Sequence, residues 1–599
     1  MYFDKRNKDG LILSFDAFKT GKDISDFSFE RFKKSKIYNI LIKKFCKKSI
    51  ENYFKTFFYL TSFPLAHHIT LAKNLNFDKK KQRNLINVKY CKNYFYINEF
   101  LREKNLSFSN KFTFLGEYKK IIKSLVHFKR LLDRLTAELL SKIKQENIKQ
   151  NFKIGVSFKE GLNQNKRSDI FWFDRKKISK DDVLIYFESN SYKYRYVKEE
   201  GEPLELSEFN YFDLSNFFYD KKEKVFDDTI RDLKKIVDNE EDIFLGKLST
   251  QLIKKIEFWY YFFKKFNIKI HFDSEEMVTN KLIKQIALRK LNAISIGRVR
   301  SYISKGVYDF MGTLSADVNF VNQRDSGDRL LNHSFNQSEN ILITGDTNNI
   351  FTNKNIDELN SIKKRISNSK RNFVLLVLDS NFSENSSCDI DQIITTEYFE
   401  RFYDQIIQYA EKNHDTYLII KAKKEKFVTS KNKKVFSKIL ELEKKNRCYI
   451  VKDSFRKFPY LYASISNFIV CTSSAFPSAL IECVARGKRG IFCDYPNLTS
   501  VEKDVYKFDD YLILKDLKQL NKTIDEFKSK YPQTKIGDWS LINGMIEKFN
   551  DDRGYKRATN FIANLLNELK KNFSQKEALN NAIDQYEKEF GKINIFKRQ

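Results

Sequence analysis

From Phe152 onward, short runs of β-branched and aromatic residues alternate with stretches whose apolar positions recur every three or four residues. The runs predict strands at Lys153–Phe158, Val183–Phe187, Ile268–Phe272, Ala293–Gly297, Asp317–Val321 and Ile341–Gly345. A second set follows at Phe373–Asp379, Tyr417–Lys423, Cys448–Lys452, Asn467–Thr472, Gly490–Asp494 and Tyr511–Leu514. Amphipathic helical periods separate many of them, among others Glu397–Lys412 and Phe476–Arg486. Strand–helix alternation of this kind predicts parallel sheets covered by helices on both faces. The expected fold class is therefore α/β, with two Rossmann-like domains facing one another across a polar stretch near 350–370 that contains the lysine-rich run Ile362–Arg371.

The ends read differently. Residues 1–150 are mainly helical in pattern, with a long amphipathic helix expected at Tyr118–Gln145. Helical, charged segments return at Tyr555–Lys571 and Gln575–Phe590. The expected organisation is a basic helical region (1–150), a first α/β domain (151–350), a second (351–574) and a charged helical tail (575–599).

Composition agrees with this organisation. The chain has 599 residues, several times a typical domain of about 100–200. Its 56 Phe and 31 Tyr can build substantial cores, which excludes wholesale disorder, and 6 Pro with 18 Gly exclude a collagen-like or linker-dominated chain. The formal net charge of +31 is unevenly placed: residues 1–150 hold 33 Lys plus Arg against 14 Asp plus Glu, a surplus of 19. A surface of that sign attracts phosphates in nucleic acid, anionic lipid or a phosphorylated substrate. The first residues, Met1 to Arg6, lead into charge rather than an apolar run, and no segment approaches the roughly 18 apolar residues of a membrane span. Seven Cys without a Cys-x-x-Cys pair read as reduced thiols, several in strands, and six scattered His form no metal-ligand spacing. A cytoplasmic protein is expected, peripheral on the inner face of the cytoplasmic membrane if the basic region meets lipid.

The segment with the most chemistry is Asn467-Phe-Ile-Val-Cys-Thr-Ser-Ser474, followed by Ala475-Phe-Pro-Ser-Ala-Leu-Ile-Glu482 and Cys483-Val-Ala-Arg-Gly-Lys-Arg489. A buried strand ends in a hydroxyl cluster, and a helix is expected directly after it. Open α/β sheets bind ligands at the carboxyl ends of their strands. Ser473, Ser474 and Ser478 offer hydroxyl donors suited to a diphosphate, although the same residues also serve as plain helix N-caps. Glu482 lies four residues after Ser478, on the same helical face, where a carboxylate can accept both hydrogen bonds of a ribose diol. Lys421 and Lys423 alternate on one predicted strand and so share a face, which calls for an anion or solvent. Arg298 and Arg300 fall just past a strand end, where an anion contact or simple solvation is open to them.

The order of strand, Ser-rich turn, helix with an internal Glu, Gly-Lys-Arg and strand resembles that of GT-B glycosyltransferases, most of all those of bacterial capsule and lipopolysaccharide biosynthesis. Weaker likeness runs in order through Arg167–Trp172, Asp182–Phe187, Gly297–Ser301, Ala316–Val318, Ile343–Gly345, Phe373–Ser380 and Ile420–Lys423, so the resemblance covers roughly residues 150–565. It departs at Gly345, which is followed by Asp346-Thr-Asn rather than a Gly/Pro turn. The resemblance implies a sugar moved from a nucleotide-sugar donor to a surface glycan or lipid-linked acceptor, with no metal or other cofactor. It implies that Glu482 binds the ribose and Ser473 and Ser474 the diphosphate. An inverting enzyme of this kind needs a base in the first domain, for which Glu160 in the loop Lys159–Leu162 is the candidate and Asp169 its competitor.

Other classes fit less well. No Gly-x-x-x-x-Gly-Lys-Ser/Thr or Gly-x-Gly-x-x-Gly occurs, which disfavours P-loop and dinucleotide enzymes. Asp389-Ile-Asp391 has the form of a metal–diphosphate Asp-x-Asp pair but sits in a Ser/Asn-rich stretch. A teichoic-acid-type polyol-phosphate transferase would share the fold, yet such enzymes resemble one another in His-containing catalytic loops. A nucleic-acid-binding protein matches the charge, but no RRM, KH, zinc-finger or helix-turn-helix pattern accompanies it.

Overall fold

In a computed structural model the chain forms two parallel-sheet units, with helices packed on the first from both ends of the sequence. The structure describes residues 9–74, 94–103 and 151–597, apart from 160, 165–166, 189–208, 218–224, 237, 275–278, 300–313, 323–337, 349, 380–381, 384–393, 424–432, 453–456, 474–476, 495–510, 541–548, 550 and 572. The expected Tyr118–Gln145 helix and the Asp389–Asp391 pair lie outside the described residues.

The first unit holds β1 (Ile154–Ser157), β2 (Val183–Phe187), β3 (Asn210–Asp213), β4 (Ile270–Asp273), β5 (Ile294–Arg298), β6 (Val318–Val321) and β7 (Asn340–Ile343). The second holds β8 (Phe373–Leu378), a short pair β9 (Phe382–Ser383) and β10 (Ile394–Thr395), then β11 (Thr416–Lys421), β12 (Cys448–Ile450), β13 (Phe468–Thr472), β14 (Gly490–Cys493) and β15 (Ile513–Leu514). A last strand, β16 (Ile595–Lys597), ends the described chain. The large sheets run β3-β2-β1-β4-β5-β6-β7-β16 and β12-β11-β8-β13-β14-β15. All neighbours in them are parallel except β16 on β7. Each sheet therefore reverses its strand order once, between β1 and β4 and between β8 and β13, and such a reversal opens a crevice at the carboxyl ends of the strands. These are the two Rossmann-like sheets expected from the strand–helix alternation. Every residue of β1, β2, β4 to β8, β11, β13 and β14 is buried, as parallel strands covered on both faces must be.

The polar stretch expected between the units is a helix, Asn353–Asn368, capped by the Thr352 hydroxyl accepting from the Asn355 amide. Its many Lys and Asn hide a seam: Leu359 and Ile362, three apart, are buried in the same core as Tyr462 and Leu376.

The chain then returns to the first unit. Helices Gly554–Lys570 and Gln575–Phe590 bury Phe561, Ile562, Leu565, Ala582 and Tyr586 in the same core as β1, β2 and β4 to β7. The expected domain end at 574 thus lies between two helices that both pack on the first sheet. Gly554 makes the crossover possible: a Cβ there would stand 2.1 Å from the Asp346 carbonyl oxygen. Arg557 anchors the return, donating to the Thr344 carbonyl at 2.6 Å and to both oxygens of Asp551 at 2.8 and 2.7 Å.

The N-terminal helices Asp9–Lys34, Lys36–Lys44, Lys47–Asn74 and Tyr94–Glu103 cover the outer helices of the first unit through an aromatic core. Phe32 stacks on Phe54 at 3.9 Å, and Phe95 on Phe244 at 5.8 Å. Arg31 and the Tyr96 hydroxyl converge on Glu241, each at 2.7 Å.

Candidate functional site

The carboxyl edges of the two sheets face each other, and charged side chains gather between them. On the second unit, Lys421 ends β11, Asp379 follows β8 and Ser473 follows β13. The helix Ser478–Val484 carries Ser478 and Glu482. On the first unit, Arg167 comes from the segment after β1 and Asp346 from the segment after β7.

Glu482 is buried, and that burial, reinforced by Asp346, pushes its carboxyl up to about 7 against the pull of Arg486, Arg167 and Lys421. Burial and Arg167 push Lys421 down to about 8, opposed by Glu482 and Asp379. A carboxyl and an ammonium from different elements of the second unit thus both titrate close to neutrality, under the field of an arginine from the first unit. Burial likewise lifts Asp379 to about 6, although its carboxylate accepts from the Lys423 amide and from the Tyr403 hydroxyl at 2.8 Å. Sites poised in this way can exchange protons or recognise a polyanion without large reorganisation.

Arg486, at the end of the Glu482 helix, ties the units together. It donates to Asp346 at 2.9 Å, to Asp552 at 2.8 Å and to the Glu482 carbonyl at 3.0 Å, and its guanidinium lies 4.8 Å from the Tyr460 ring centroid. The Asp346-Thr-Asn departure noted in the sequence is therefore one half of an inter-unit ion pair.

Several expectations are corrected. Lys421 and Lys423 do not alternate on one strand, because β11 ends at Lys421; Lys423 lies in a bend beyond it, and its amide is bound to Asp379. Arg298 is the last residue of β5 rather than a loop residue: it is buried, 4.5 Å from the Phe171 ring centroid, and donates to Thr347 at 3.3 Å. Asp169 is unsuited to act as a base. One of its oxygens accepts from the amides of Lys159 (2.8 Å) and Gly161 (3.1 Å), the other from the Ser274 hydroxyl (2.8 Å). It fixes the loop instead. Asp169→Ala strands these buried donors, each costing about 1–3 kcal/mol, so urea unfolding should show about 3 kcal/mol or more of lost stability. Glu160, Arg300 and Ser474 lie outside the described residues, whereas Ser473 and Ser478 are half-buried at the β13 edge.

A second charged group, which the sequence pattern did not single out, occupies the β1/β4 reversal of the first sheet. Lys284 is 1% exposed and bonds to Asp273 at 2.9 Å, to Glu188, and to the Ser157 hydroxyl at 3.3 Å. Lys159 adds a contact to Glu188 at 3.1 Å. Burial works against both carboxylates, but Lys284 with Lys159 or Lys281 holds Glu188 and Asp273 below the usual carboxylate range. Burial works against Lys284 too, yet Asp273, Tyr186 and Glu188 raise it. His271 beside them, 2.7 Å from the Tyr186 hydroxyl, is pushed down to about 3 by burial and Lys284 and stays neutral. Its signal was faint: single charges at the ends of separate strands.

Among the described residues no three His, Cys, Asp or Glu side chains gather as a metal ion would need, and no helix is long and apolar enough to cross a membrane.

No family model and no curated protein matches the chain. Solved structures do. The UDP complex of MnaA from S. aureus shares 12% identity over 70% of this chain and 97% of its own, with a TM-score of 0.40. The UDP-GlcNAc 2-epimerase from Neisseria meningitidis bound to UDP-GlcNAc shares 12% over 68% and 97%, at 0.41. The wall teichoic acid polymerase TagF shares 11% over 77% and 99%, at 0.42.

Proposed function

We propose that the chain is a glycosyltransferase that binds a nucleotide-sugar in the cleft between its two sheets and passes the sugar to a glycan or lipid-linked acceptor. The observation that carries this reading is the convergence of Glu482, Lys421 and Arg167 at the carboxyl edges of both units. Each group has a part in it. The Glu482 carboxylate accepts the two hydroxyls of the ribose. Lys421 and Arg167 neutralise the diphosphate, whose charge grows as the sugar leaves, and Ser473 and Ser478 add hydroxyl donors. A bound diphosphate would also restore Lys421 to its fully protonated state, because a neighbouring anion favours the cation. The acceptor enters from the first unit, where Asp169 holds the amides on either side of Glu160.

A polyol-phosphate transferase would use the same cleft. His271, the one buried histidine among the described residues, is hydrogen-bonded to Tyr186, and burial with Lys284 makes it a weak base for such chemistry.

A thermal-shift panel of UDP-, GDP-, CDP-, CMP- and ADP-sugars tests the proposal. One class should stabilise the chain, by about 2.7 kcal/mol at a hundredfold excess over its Kd. That stabilisation should strengthen as pH rises through about 7, since only ionised Glu482 accepts both ribose hydroxyls. Binding that weakens over that pH range would contradict the role given to Glu482.

A further inference from the structure

The amino edge of the first sheet, on the far side from the cleft, borders a cavity of about 1020 Å³. Residues entering the strands line one side, Lys153 before β1 and Lys269 before β4 among them. The other side is the return of the chain from Leu566 to Leu579, with Lys570 and Lys576. Arg289 completes a set of five cations facing two carboxylates, Asp317 and Glu339. Asp317 is already engaged by Arg289 at 3.3 Å and by the Ser295 amide and hydroxyl at 2.8 and 2.6 Å. Lys570 reaches Asp182 at 3.4 Å. Lys153, Lys269 and Lys576 make no ion pair with a described side chain, which leaves a strongly positive hollow.

Two further features give the hollow a direction. Leu291, Leu566, Leu569 and Leu579 give part of its wall an apolar lining, and Phe573 stands 43% exposed at its edge, beside lysines. Its rim continues onto the N-terminal helices: Arg289 donates to Ser49 at 2.8 Å, and Lys290 lies 5.7 Å from the Phe45 ring centroid, next to the exposed Lys43 and Lys47. Positive charge, a hollow with ample room for a phosphate headgroup and an exposed aromatic ring on one face match a lipid surface, where rings settle at the headgroup level and lysines meet phosphate.

We propose that this cavity takes the phosphate headgroup of an anionic phospholipid, so that the first unit rests on a membrane by the edge opposite its cleft. The inference stands on different residues from the proposed reaction, and either can fail without the other. The full chain should co-sediment with phosphatidylcholine vesicles that contain phosphatidylglycerol and not with phosphatidylcholine alone. Lys153→Glu with Lys269→Glu should weaken that binding roughly 25-fold or more, since each basic residue near such a surface contributes about a factor of five. Lys518→Glu with Lys522→Glu, an equal charge change on the second unit, should leave it near the native value. If the first pair does not fold, Lys576→Glu with Phe573→Ser, both exposed, takes its place. Equal losses from both units would overturn the proposal, because bulk charge would then suffice. So would displacement of the chain from vesicles by an equal concentration of inorganic phosphate, which would make a soluble anion the occupant. Retention of single-stranded RNA without retention of vesicles would overturn it as well.

Discussion

Glu482→Gln should weaken nucleotide-sugar binding by roughly two orders of magnitude while leaving the fold intact. Hydrogen bonds to a charged partner contribute about 1.5–3 kcal/mol each, and the ribose diol makes two of them to the carboxylate. An amide of the same shape accepts at one oxygen only and carries no charge. The fold does not depend on that charge, because burial already penalises it, as the upward push to about 7 records. The linkage sign follows. A carboxyl raised above its unfolded value of about 4.3 favours the folded state most at low pH, and that contribution is lost as pH rises through about 7. At pH 8 the glutamine variant should therefore unfold at the same or a higher temperature than the native chain. Weak binding joined to undiminished stability separates a ligand contact from a structural one. Isothermal calorimetry at pH 6 and pH 8 should show tighter binding at the higher pH for the native chain and no such difference for Glu482→Gln.

Lys284→Met should destabilise the first unit by about 3–5 kcal/mol at neutral pH. Removing one member of a buried ion cluster leaves its partners charged and unpaired, which costs more than the cluster contributed. Here the stranded partners are Asp273, 2% exposed, and Glu188. Their folded pKa values lie below the unfolded ones, so in the native chain they contribute stability that is present above about pH 4 and lost as pH falls through the folded values. Without Lys284 both carboxyls take up protons more readily, and the gap between variant and native chain should narrow towards pH 4. Tryptophan fluorescence can localise the effect, because Trp172 and Trp259 lie in the first unit and Trp539 in the second, with Lys284 5.0 Å from the Trp259 ring centroid. An effect that stays constant from pH 4 to pH 8 would mean that lost packing, not stranded charge, is responsible.

The strands of both sheets were legible because parallel strands buried on both faces must be continuous apolar runs, and β8, Phe-Val-Leu-Leu-Val-Leu, leaves no other reading. Two sheet members were not. β3, Asn-Tyr-Phe-Asp, is a half-exposed edge strand with one buried residue, and β16 lies in a charged tail that becomes a strand only by meeting β7 at the far end of the sequence. The same distinction separates the site residues. Glu482 was visible because its helix, its serines and its strand are contiguous. Arg167, Asp346 and Arg486 are isolated charges in sequence, and they acquire meaning only when the second unit folds back on the first. Asp169 misled for the opposite reason: an acid in a loop of the first domain reads as a candidate base, but three donors converging on its two oxygens are a tertiary fact.

The cleft is the centre of this account, and thermal unfolding of the native chain and of Glu482→Gln, side by side at pH 8 against the five nucleotide-sugar classes, tests it most directly. The native chain should be stabilised by one class and the variant by none, with their ligand-free midpoints alike or the variant's higher. Equal stabilisation of both chains, or no response of the native chain to any class, would contradict a nucleotide-sugar site at Glu482.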